Sequence, residues 1–298
     1  MLTADKLLLV HDRLCAEYHC PIAYFHALDP LSELVSSLLS HRTKNADSGR
    51  AFENLRSRFP DGWAEVRDAP LAEVQAALAP CTWPEQKAPR VQDILRRITA
   101  ERGELSLDFL ADLSVEEARA WLERLPGVGP KTSAAVLSFS RLRRRALPVD
   151  SHHHRVAIRL GLISASVSVG PSHALLEAQL PAEWDAQQVY DNHEVLMLHG
   201  QRCCFHQNPD CFRCVVLDLC PFGQANTSKN PSRAEQAGIT SISIASGVTL
   251  CSVYLACFLH RSPCWPPRLP RLASLPPPIL TIPKSLRRPC PALVFRFR

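Results

Sequence analysis

Four cysteines near residue 210 constrain this chain more than any other feature of its sequence. They follow the pattern Cys204-x6-Cys211-x2-Cys214-x5-Cys220, which places four thiols within 17 residues. Four thiolates so close together can surround a single centre, and cysteine-only ligation suits tetrahedral zinc or a cubane iron–sulfur cluster. The spacings of 6, 2 and 5 are unlike the paired short knuckles of most zinc sites, and they favour a [4Fe-4S] cluster.

The other cysteines are not expected to bind metal. Cys203 is the spare thiol, because counting from it would lengthen the first spacing to seven residues. Cys15, Cys20 and Cys81 are predicted to be small buried apolar residues. Residues 1–6 lack the basic and apolar segments of a secretion signal, so the protein is expected inside the cell, where clustered cysteines favour metal sites over disulfides.

Apolar residues from position 4 to about 200 recur at helical spacing. No convincing pair of strands occurs, so the sequence predicts an all-α fold. Asp29 and Pro30 mark one helix start, and Ser114 with Glu117 has the sequence signature of a capping box. Further helices are predicted at 46–59, 70–79, 86–101, 131–142, 152–160, 171–180 and 186–199.

The last 60 or so residues differ from the rest of the chain. Ten of the 25 prolines lie between Pro263 and Pro291, and no Asp or Glu follows Glu235. This composition opposes regular helices, so residues 224–298 are predicted to be a disordered, non-homologous tail, with an out-of-frame extension as an alternative. Residues 239–260 are uncharged and long enough to span a membrane, but Ser and Thr interrupt them, and a membrane anchor is not favoured.

The net charge of +5 does not by itself indicate DNA binding. Eight of the 34 basic residues lie after Glu235, where there are no acidic ones, so residues 1–235 carry 26 basic and 29 acidic side chains. The part of the chain that is predicted to fold therefore has a net charge of −3. Any contact with nucleic acid must come from local patches.

A glycine-containing turn lies between two predicted helices, at Leu125-Pro126-Gly127-Val128-Gly129-Pro130-Lys131-Thr132. Gly127 and Gly129 are expected to adopt positive φ and to turn backbone N–H groups outward, beside the positive end of the following helix. This geometry can bind a phosphate. Alone, however, a Gly-x-Gly turn fits a plain helix–helix connection equally well.

Lys131 falls in the first turn of the helix after this turn, where the helix dipole disfavours an ammonium ion. A lysine must lose its proton to act as a nucleophile, so this position favours a reactive amine. The alternative is a lysine that pairs with a phosphate. Asp150 follows 19 residues later, before another helix, where it either caps that helix or faces Lys131 across a cleft.

Together these motifs resemble those of the helix-hairpin-helix DNA glycosylases of the endonuclease III type. Weaker similarity at Leu38-Leu39-Ser40 and Lys87-Ala88 extends the resemblance over residues 5–223, and the tail has no counterpart. The segments that carry the resemblance are Leu125 to Thr132, Val149-Asp150-Ser151-His152, Arg155-Val156, Arg159-Leu160-Gly161-Leu162, and His199-Gly200 followed by the four cysteines.

The resemblance implies a two-lobed all-α fold. Residues 29–145 would form a six-helix barrel that contains the helix-hairpin-helix at about 114–142. Residues 1–28 and 146–223 would form the second lobe, around a [4Fe-4S] cluster bound by Cys204, Cys211, Cys214 and Cys220. Damaged double-stranded DNA would lie between the lobes, bent, with the target nucleotide flipped out.

The activity implied by the resemblance is that of a bifunctional DNA glycosylase and AP lyase of base excision repair that removes oxidised pyrimidines. Lys131 would attack the sugar C1′ and form a Schiff base that promotes β-elimination of the 3′ phosphate. Asp150 would stabilise positive charge on the sugar and assist proton transfer. The protein is expected to be a monomer in the cytoplasm or nucleoid, without a small-molecule cofactor.

The residues implied to contact DNA depart from the usual pattern in places. The expected set is Gly127, Val128, Gly129, Thr132, His41, Arg42, Trp83 and Lys87. His41 and Arg42 occupy the region where the family usually has a gap-filling glutamine, and Arg42 is a candidate for that role. Trp83 lies where a smaller apolar wedge is common, with core burial as the alternative. The cluster loop at 205–210 lacks basic residues, and Arg141, Arg143, Arg144 and Arg145 are candidates to compensate unless they form only a solvated face.

Three other interpretations compete with this one. A monofunctional glycosylase, such as the adenine-removing branch, is disfavoured because that branch lacks the lysine at the position of Lys131. A non-catalytic DNA-binding or redox-sensing protein could keep the cluster and the hairpin. A truncated, inactive product is the third. A metal site at His152, His153 and His154 is disfavoured, because consecutive helical residues point in different directions.

Overall fold

The computed structural model describes residues 3–229, and every regular element in that range is helical. The α-helices are α1 Thr3–Tyr18, α2 Pro30–Ser40, α3 Asn45–Arg58, α4 Trp63–Asp68, α5 Leu71–Ala77, α6 Pro84–Arg102, α7 Val115–Glu123, α8 Pro130–Phe139, α9 Ser151–Leu160, α10 Val169–Glu177, α11 Ala186–Arg202 and α12 Pro221–Ser228. Short 3-10 helices occupy Asp108–Asp112, Cys211–Arg213 and Leu217–Leu219. The predicted all-α fold is confirmed.

Helix starts agree with the cap signals of the sequence. Asp29 caps α2 by accepting hydrogen bonds from the backbone N–H groups of Leu31 and Ser32. Ser114 and Glu117 form both halves of the predicted capping box. The predicted helix 131–142 ends earlier, at Phe139, because the chain turns back and the Arg144 N–H donates to the Leu137 carbonyl at 2.8 Å.

The described residues form two separate hydrophobic cores. The first contains only residues from Leu31 to Ala146. The second joins apolar residues of α1 to residues between Leu147 and Cys220. A third, small cluster of Ala135, Phe139 and Tyr190 joins α8 to α11. The cores follow the two parts that the resemblance implies, while the exact limits of the lobes stay a prediction.

The predicted tail begins too early. Residues 224–228 complete α12, in which the Gln224 N–H donates to the Cys220 carbonyl at 3.0 Å. The rest of the predicted tail, including the uncharged segment 239–260, lies outside the described residues. Within residues 3–229, no helix is both long enough and apolar enough to cross a membrane.

Two cysteines differ from expectation. Cys15 and Cys20 form a disulfide at the end of α1 and are only partly buried, so they are not the buried thiols that were predicted. Their closeness follows from the turn after α1, in which the Cys20 N–H donates to the Cys15 carbonyl at 3.0 Å. Cys81 is a free, buried thiol, as expected.

Candidate active site and cysteine cluster

The turn between α7 and α8 uses its two glycines differently. Gly127 has a φ of +81°, in the left-handed region that favours glycine. Gly129 has a φ of −116° and caps α8 in extended conformation, so the expectation of positive φ at this residue was wrong. Val128 is buried in the first core, and its N–H donates to the Leu125 carbonyl at 3.1 Å.

The start of α8 leaves backbone donors without protein acceptors. The N–H groups of Gly127, Gly129 and Lys131 donate no hydrogen bond to any part of the chain between residues 3 and 229. Helix N-termini carry such unpaired donors together with the positive end of the helix dipole. The turn therefore has the features of an anion-binding site.

Lys131 is the second residue of α8 and is partly buried. Burial lowers the pKa of its ammonium group, while the nearby carboxylates of Asp150 and Glu33 act in the opposite direction. Desolvation is the larger effect, because burial destabilises the charged ammonium more than its attraction to the two carboxylates stabilises it. Lys131 thus has the altered acidity that a nucleophilic amine needs.

Asp150 caps α9, as one of the two interpretations of the sequence predicted. Its Oδ1 atom accepts a hydrogen bond from the His153 N–H at 2.7 Å. The same carboxylate attracts the Lys131 ammonium, and the interpretation that it faces Lys131 across a cleft stays a prediction. The α9 and α11 helices pack together behind this point, where the His153 and His193 Nδ1 atoms are 3.4 Å apart.

Two buried acids near the site were not identified from the sequence. Glu33 on α2 is 3% exposed, and burial raises its pKa to about 7. Glu194 on α11 is 8% exposed, and burial raises its pKa to about 7 as well, with contributions from Asp150 and Asp191. A signal for Glu33 was available, since it is the only charged residue in the sequence of α2.

His41 lies on the turn after α2 and contacts α8. His41 Nε2 is 2.9 Å from the hydroxyl of the buried Thr132. Burial lowers the pKa of His41 to about 4, with Lys131 and Lys87 adding repulsion, so the imidazole is neutral. The structure therefore places His41 in contact with Thr132, the last residue of the hairpin motif.

Arg42 and Trp83 form a pair at the surface. The Arg42 guanidinium lies 5.8 Å from the centre of the Trp83 ring. Both residues have left-handed backbone conformations, with φ values of +51° and +55°. Trp83 is 44% exposed, which contradicts the alternative that it is a core residue.

Lys87 has a structural role rather than the predicted place on a DNA-binding surface. Its side chain is buried, and its ammonium donates to the carbonyls of Leu39 and His41 and to the Thr43 hydroxyl, at 2.6, 2.8 and 2.6 Å. A lysine ammonium has three donors, so all of them are used within the protein. Lys87 fixes the turn that carries His41 and Arg42.

The basic run after α8 is also structural. Arg143 donates to the carbonyls of Phe139 and His26, and its guanidinium stacks on Tyr24 at 3.4 Å. Arg144 and Arg145 donate to backbone carbonyls of other segments, and Arg141 pairs with Asp108. These arginines are bound to the protein, which argues against the predicted compensating contact with DNA.

The four predicted ligand cysteines line one cavity, which is partly open to solvent. Their sulfurs receive hydrogen bonds: Arg159 donates to Cys204 at 3.2 Å, Asn226 to Cys211 at 3.5 Å, and the Gly223 N–H to Cys220 at 3.2 Å. N–H groups directed at sulfur are typical of thiolates bound to a cluster or a metal. The donor set therefore fits a centre bound by four thiolates.

Cys203 also lines this cavity, but it has a different set of neighbours. Its Sγ is 3.4 Å from the Asp210 carbonyl, and it forms a group with His199 and Cys214 in which the candidate ligand atoms are within 4.8 Å of one another. His199 Nε2 is 3.4 Å from Cys214 Sγ. The sequence pattern did not single out His199 as a neighbour of the sulfur atoms.

Comparison with known proteins supports the resemblance to DNA glycosylases. No family model matches the chain. A protein of Arabidopsis thaliana with a provisional name as a DNA glycosylase is 35% identical over 173 residues, which are 58% of this chain and only 57% of that protein. Endonuclease III of Thermotoga maritima is 29% identical over 196 residues, which are 65% of this chain and 84% of that enzyme.

Solved structures show the same fold. A non-covalent complex of endonuclease III with DNA matches with a TM-score of 0.65 and 23% identity, over 76% of this chain and 100% of that chain. A thermostable thymine-DNA glycosylase matches with a TM-score of 0.61 and 20% identity, over the same shares. The fold is that of the helix-hairpin-helix DNA glycosylases. The resemblance to the endonuclease III type within this class is confirmed by both the sequence and the fold.

Proposed function

We propose that this protein is a bifunctional DNA glycosylase and AP lyase of base excision repair, acting inside the cell on damaged double-stranded DNA. The observation that carries the proposal is Lys131, a partly buried amine of lowered pKa in the first turn of α8. It directly follows a turn with unpaired backbone donors, and the carboxylate of Asp150 attracts its ammonium form. The names of the similar proteins support this choice of activity.

DNA binding is assigned to the hairpin and to the turns next to it. The free N–H groups of Gly127, Gly129 and Lys131 would hold a backbone phosphate at the start of α8. Arg42 and Trp83 would contact the DNA where the target nucleotide leaves the duplex, because they are exposed and stacked together. His41 would support this region through Thr132.

The chemistry follows from the surroundings of Lys131. Its neutral Nζ attacks the sugar C1′, the bond from C1′ to the base breaks, and the electron pair leaves with the base. The carboxylate of Asp150 stabilises the positive charge that develops on the sugar. This attack leaves Nζ bonded to C1′ with the sugar ring closed. Nζ then loses a proton, and the C1′–O4′ bond breaks as O4′ takes up a proton, which opens the ring and gives the protonated imine. The imine acidifies the adjacent C2′ position, so loss of a C2′ proton expels the 3′ phosphate by β-elimination.

The cysteine-lined cavity is the proposed site of a [4Fe-4S] cluster held by Cys204, Cys211, Cys214 and Cys220. When bound, the cluster would act as a structural cross-link between these thiolates. Arg155 and Arg159 of α9 bind the loop that begins at Cys204. Arg155 donates to the Cys204 carbonyl, and Arg159 donates to the carbonyls of Phe205 and His206 at 2.7 and 3.0 Å. The cluster segment is thus attached to the helix that Asp150 caps.

The preference for oxidised pyrimidines rests on the resemblance alone. A panel of duplexes that each contain one damaged base would identify the substrate from the rates of base release. Release of a purine but of no oxidised pyrimidine would contradict this part of the proposal.

The test of the mechanism is reduction of the protein–DNA imine with borohydride. Full-length, iron-loaded protein is incubated with duplexes containing an abasic site or thymine glycol, and we expect a covalent adduct that Lys131→Ala abolishes. An undiminished adduct in that variant would exclude Lys131 as the nucleophile. Base release without any adduct would indicate a monofunctional glycosylase, and damage-independent binding without chemistry would indicate a non-catalytic protein.

A further inference from the structure

The single charged side chain of α2 is buried in a helix that packs against α8, the helix of the proposed nucleophile. Glu33 is 3% exposed, and its Oε1 accepts a hydrogen bond from the Ser37 hydroxyl at 2.9 Å. Its Oε2 lies 3.2 Å from His26 Nε2 but receives no well-oriented hydrogen bond from the described residues. A buried carboxylate oxygen without a donor is costly, so this position requires an explanation beyond packing.

Glu33 and Lys131 attract each other across the contact between α2 and α8. The other charged groups acting on Glu33 are Asp29 at the start of α2 and Arg143 after α8. Two carboxylates, those of Glu33 and Asp150, therefore act on one lysine from different helices.

Titratable groups also approach Lys131 from the remaining elements. They are His41 after α2 and His193 on α11, and Lys131 lowers the pKa of both. Burial is the largest cause in each case and lowers the values to about 4 and about 3, so both imidazoles are neutral at neutral pH. Neither can carry a positive charge that would compete with the Lys131 ammonium.

The two carboxylates near Lys131 are not equivalent. Asp150 is engaged in capping α9 through its Oδ1 atom, which accepts the His153 N–H. Glu33 has an oxygen that accepts no hydrogen bond from the described residues, and burial raises its pKa to about 7 while burial lowers that of Lys131. Shifts in these directions make the pKa values of Glu33 and Lys131 more similar, which reduces the free-energy cost of moving a proton from the Lys131 nitrogen to the Glu33 oxygen.

We propose that the Glu33 carboxylate accepts the proton that the Lys131 ammonium must lose before its Nζ attacks the sugar, a step that rests on the lyase function proposed above. The N–H bond of the ammonium breaks, its electron pair stays on Nζ, and the proton forms an O–H bond on Glu33. The lone pair then forms the bond to C1′. At an abasic site the aldehyde oxygen leaves as water, and an imine results.

His26 and Ser37 are positioning residues in this arrangement. Ser37 holds Oε1 and stabilises the ionised carboxylate, which lowers the pKa of Glu33 against the effect of burial. His26 Nε2 lies beside Oε2, next to the exposed Phe25. Both residues act through Glu33, and neither needs to touch DNA.

The test is strand cleavage at an abasic site, measured under single-turnover conditions over a range of pH with the full-length, cluster-loaded protein. For the wild type we expect a rate that rises with pH and levels above the pKa of Glu33, about 7. Glu33→Gln should lower the plateau about tenfold to a hundredfold and should remove the rise near neutral pH. An undiminished plateau in Glu33→Gln would overturn the proposal, as would a lower plateau with the same pH midpoint.

Ser37→Ala provides a milder test that does not remove the buried acid. Loss of its hydrogen bond should raise the pKa of Glu33, so the midpoint of the pH profile should move upward while the plateau is retained. An unchanged midpoint in a folded Ser37→Ala protein would count against Glu33 as the proton acceptor.

Glu194→Gln is the matched control, because Glu194 is also buried and its pKa is also raised to about 7, but Lys131 is not among the charges acting on it. Its pH midpoint should equal that of the wild type, and a loss of the rise as in Glu33→Gln would overturn the assignment to Glu33.

The failure of this inference can be distinguished from the failure of the proposed lyase function. Cleavage that requires Lys131 but not Glu33 overturns only this inference, whereas wild-type protein that neither cleaves nor forms an adduct overturns both.

Discussion

Lys131 and Asp150 interact electrostatically at the N-terminal ends of two helices. Lys131 is the second residue of α8, and Asp150 is the N-cap of α9. The helix dipole favours an anion and disfavours a cation at such an end. The pair therefore combines a carboxylate in a favourable position with an ammonium in an unfavourable one, which suits a lysine that must react as the free amine.

Asp150→Asn separates the charge of Asp150 from its capping role. Asparagine caps helices about as well as aspartate, so we expect the free energy of unfolding to change by less than about 0.5 kcal/mol. The single-turnover rate of base release should nevertheless fall about a hundredfold or more, because the developing charge on the sugar loses its carboxylate. Thermal unfolding and quenched-flow kinetics measure the two effects.

Asp150→Ala is the comparison for that variant. It removes both roles, so we expect an additional loss of about 1 kcal/mol in stability at a similarly low rate. Equal rates for Asp150→Asn and the wild type would show that the charge of Asp150 is not needed.

The two hairpin glycines should respond differently to alanine. Gly127→Ala places a Cβ at a φ of +81° and 2.8 Å from the Arg90 Cδ atom, so we expect a loss of about 1–2 kcal/mol in stability and weaker DNA binding. Gly129→Ala has a φ of −116° and no heavy atom within 4 Å of the new Cβ, so its stability should be close to that of the wild type. Denaturant unfolding and binding to an abasic-site analogue test both, and equal destabilisation by the two changes would contradict the described turn.

Lys87→Met should act on stability and not on the electrostatics of DNA binding. It removes the ammonium donor and leaves the carbonyls of Leu39 and His41 only the longer hydrogen bonds from the Cys81 thiol and the Thr43 hydroxyl, so we expect a loss of about 1–2 kcal/mol. The dependence of DNA affinity on salt should keep the wild-type slope, whereas loss of a phosphate contact would reduce that slope by about 1. Lys44→Met, at an exposed position in the next turn, is the control for removal of a lysine.

Two neighbouring cysteines should differ in their effect on the cluster. Cys204→Ser should reduce the iron and sulfide content and the visible absorbance of the purified protein, because Cys204 belongs to the set of four. Cys203→Ser should retain all three, since its sulfur lies beside the Asp210 carbonyl as an additional thiol. The opposite result would assign the ligand role to Cys203.

Glu194 should make stability depend on pH in a defined direction. Its pKa is about 7 in the folded protein against an ordinary value of 4.5, so the folded state binds more protons than the unfolded state between these values. The contribution of Glu194 to stability is therefore full below about pH 4.5 and is lost as the pH rises to about 7.

In Glu194→Gln this loss is absent. The stability of the variant relative to the wild type should increase across that pH window, by on the order of 3 kcal/mol. Denaturant unfolding at several pH values measures the difference. If the difference in unfolding free energy between Glu194→Gln and the wild type does not change with pH, the pKa of Glu194 is the same in the folded and unfolded states.

Local patterns in the sequence predicted most of the helical fold. Cap residues such as Asp29 and Ser114 act on N–H groups two or three residues away, so their effect can be recognised without tertiary structure. The short α4 and α12 were not predicted from the sequence. The cysteine spacing and the hairpin are local patterns of the same kind.

The assignments that failed depend on contacts between distant segments. Lys87 was placed at the DNA by the family resemblance, but the turn at 39–43 supplies three acceptors for its buried ammonium. The arginines after α8 likewise donate to carbonyls of other elements. In both cases the charge of a side chain was known, and its partners were not.

The sequence by itself determined the helices, the hairpin turn, the four clustered cysteines and the position of Lys131 at a helix start, because these depend on residues close together along the chain. Only the tertiary structure decided the surroundings of Lys131. Packing of α2 against α8, and of α11 against both α8 and α9, lets Glu33 and Asp150 act on the same amine, which burial removes from water. Acidity depends on burial and on charges nearby in space, and neither is specified by the local order of residues.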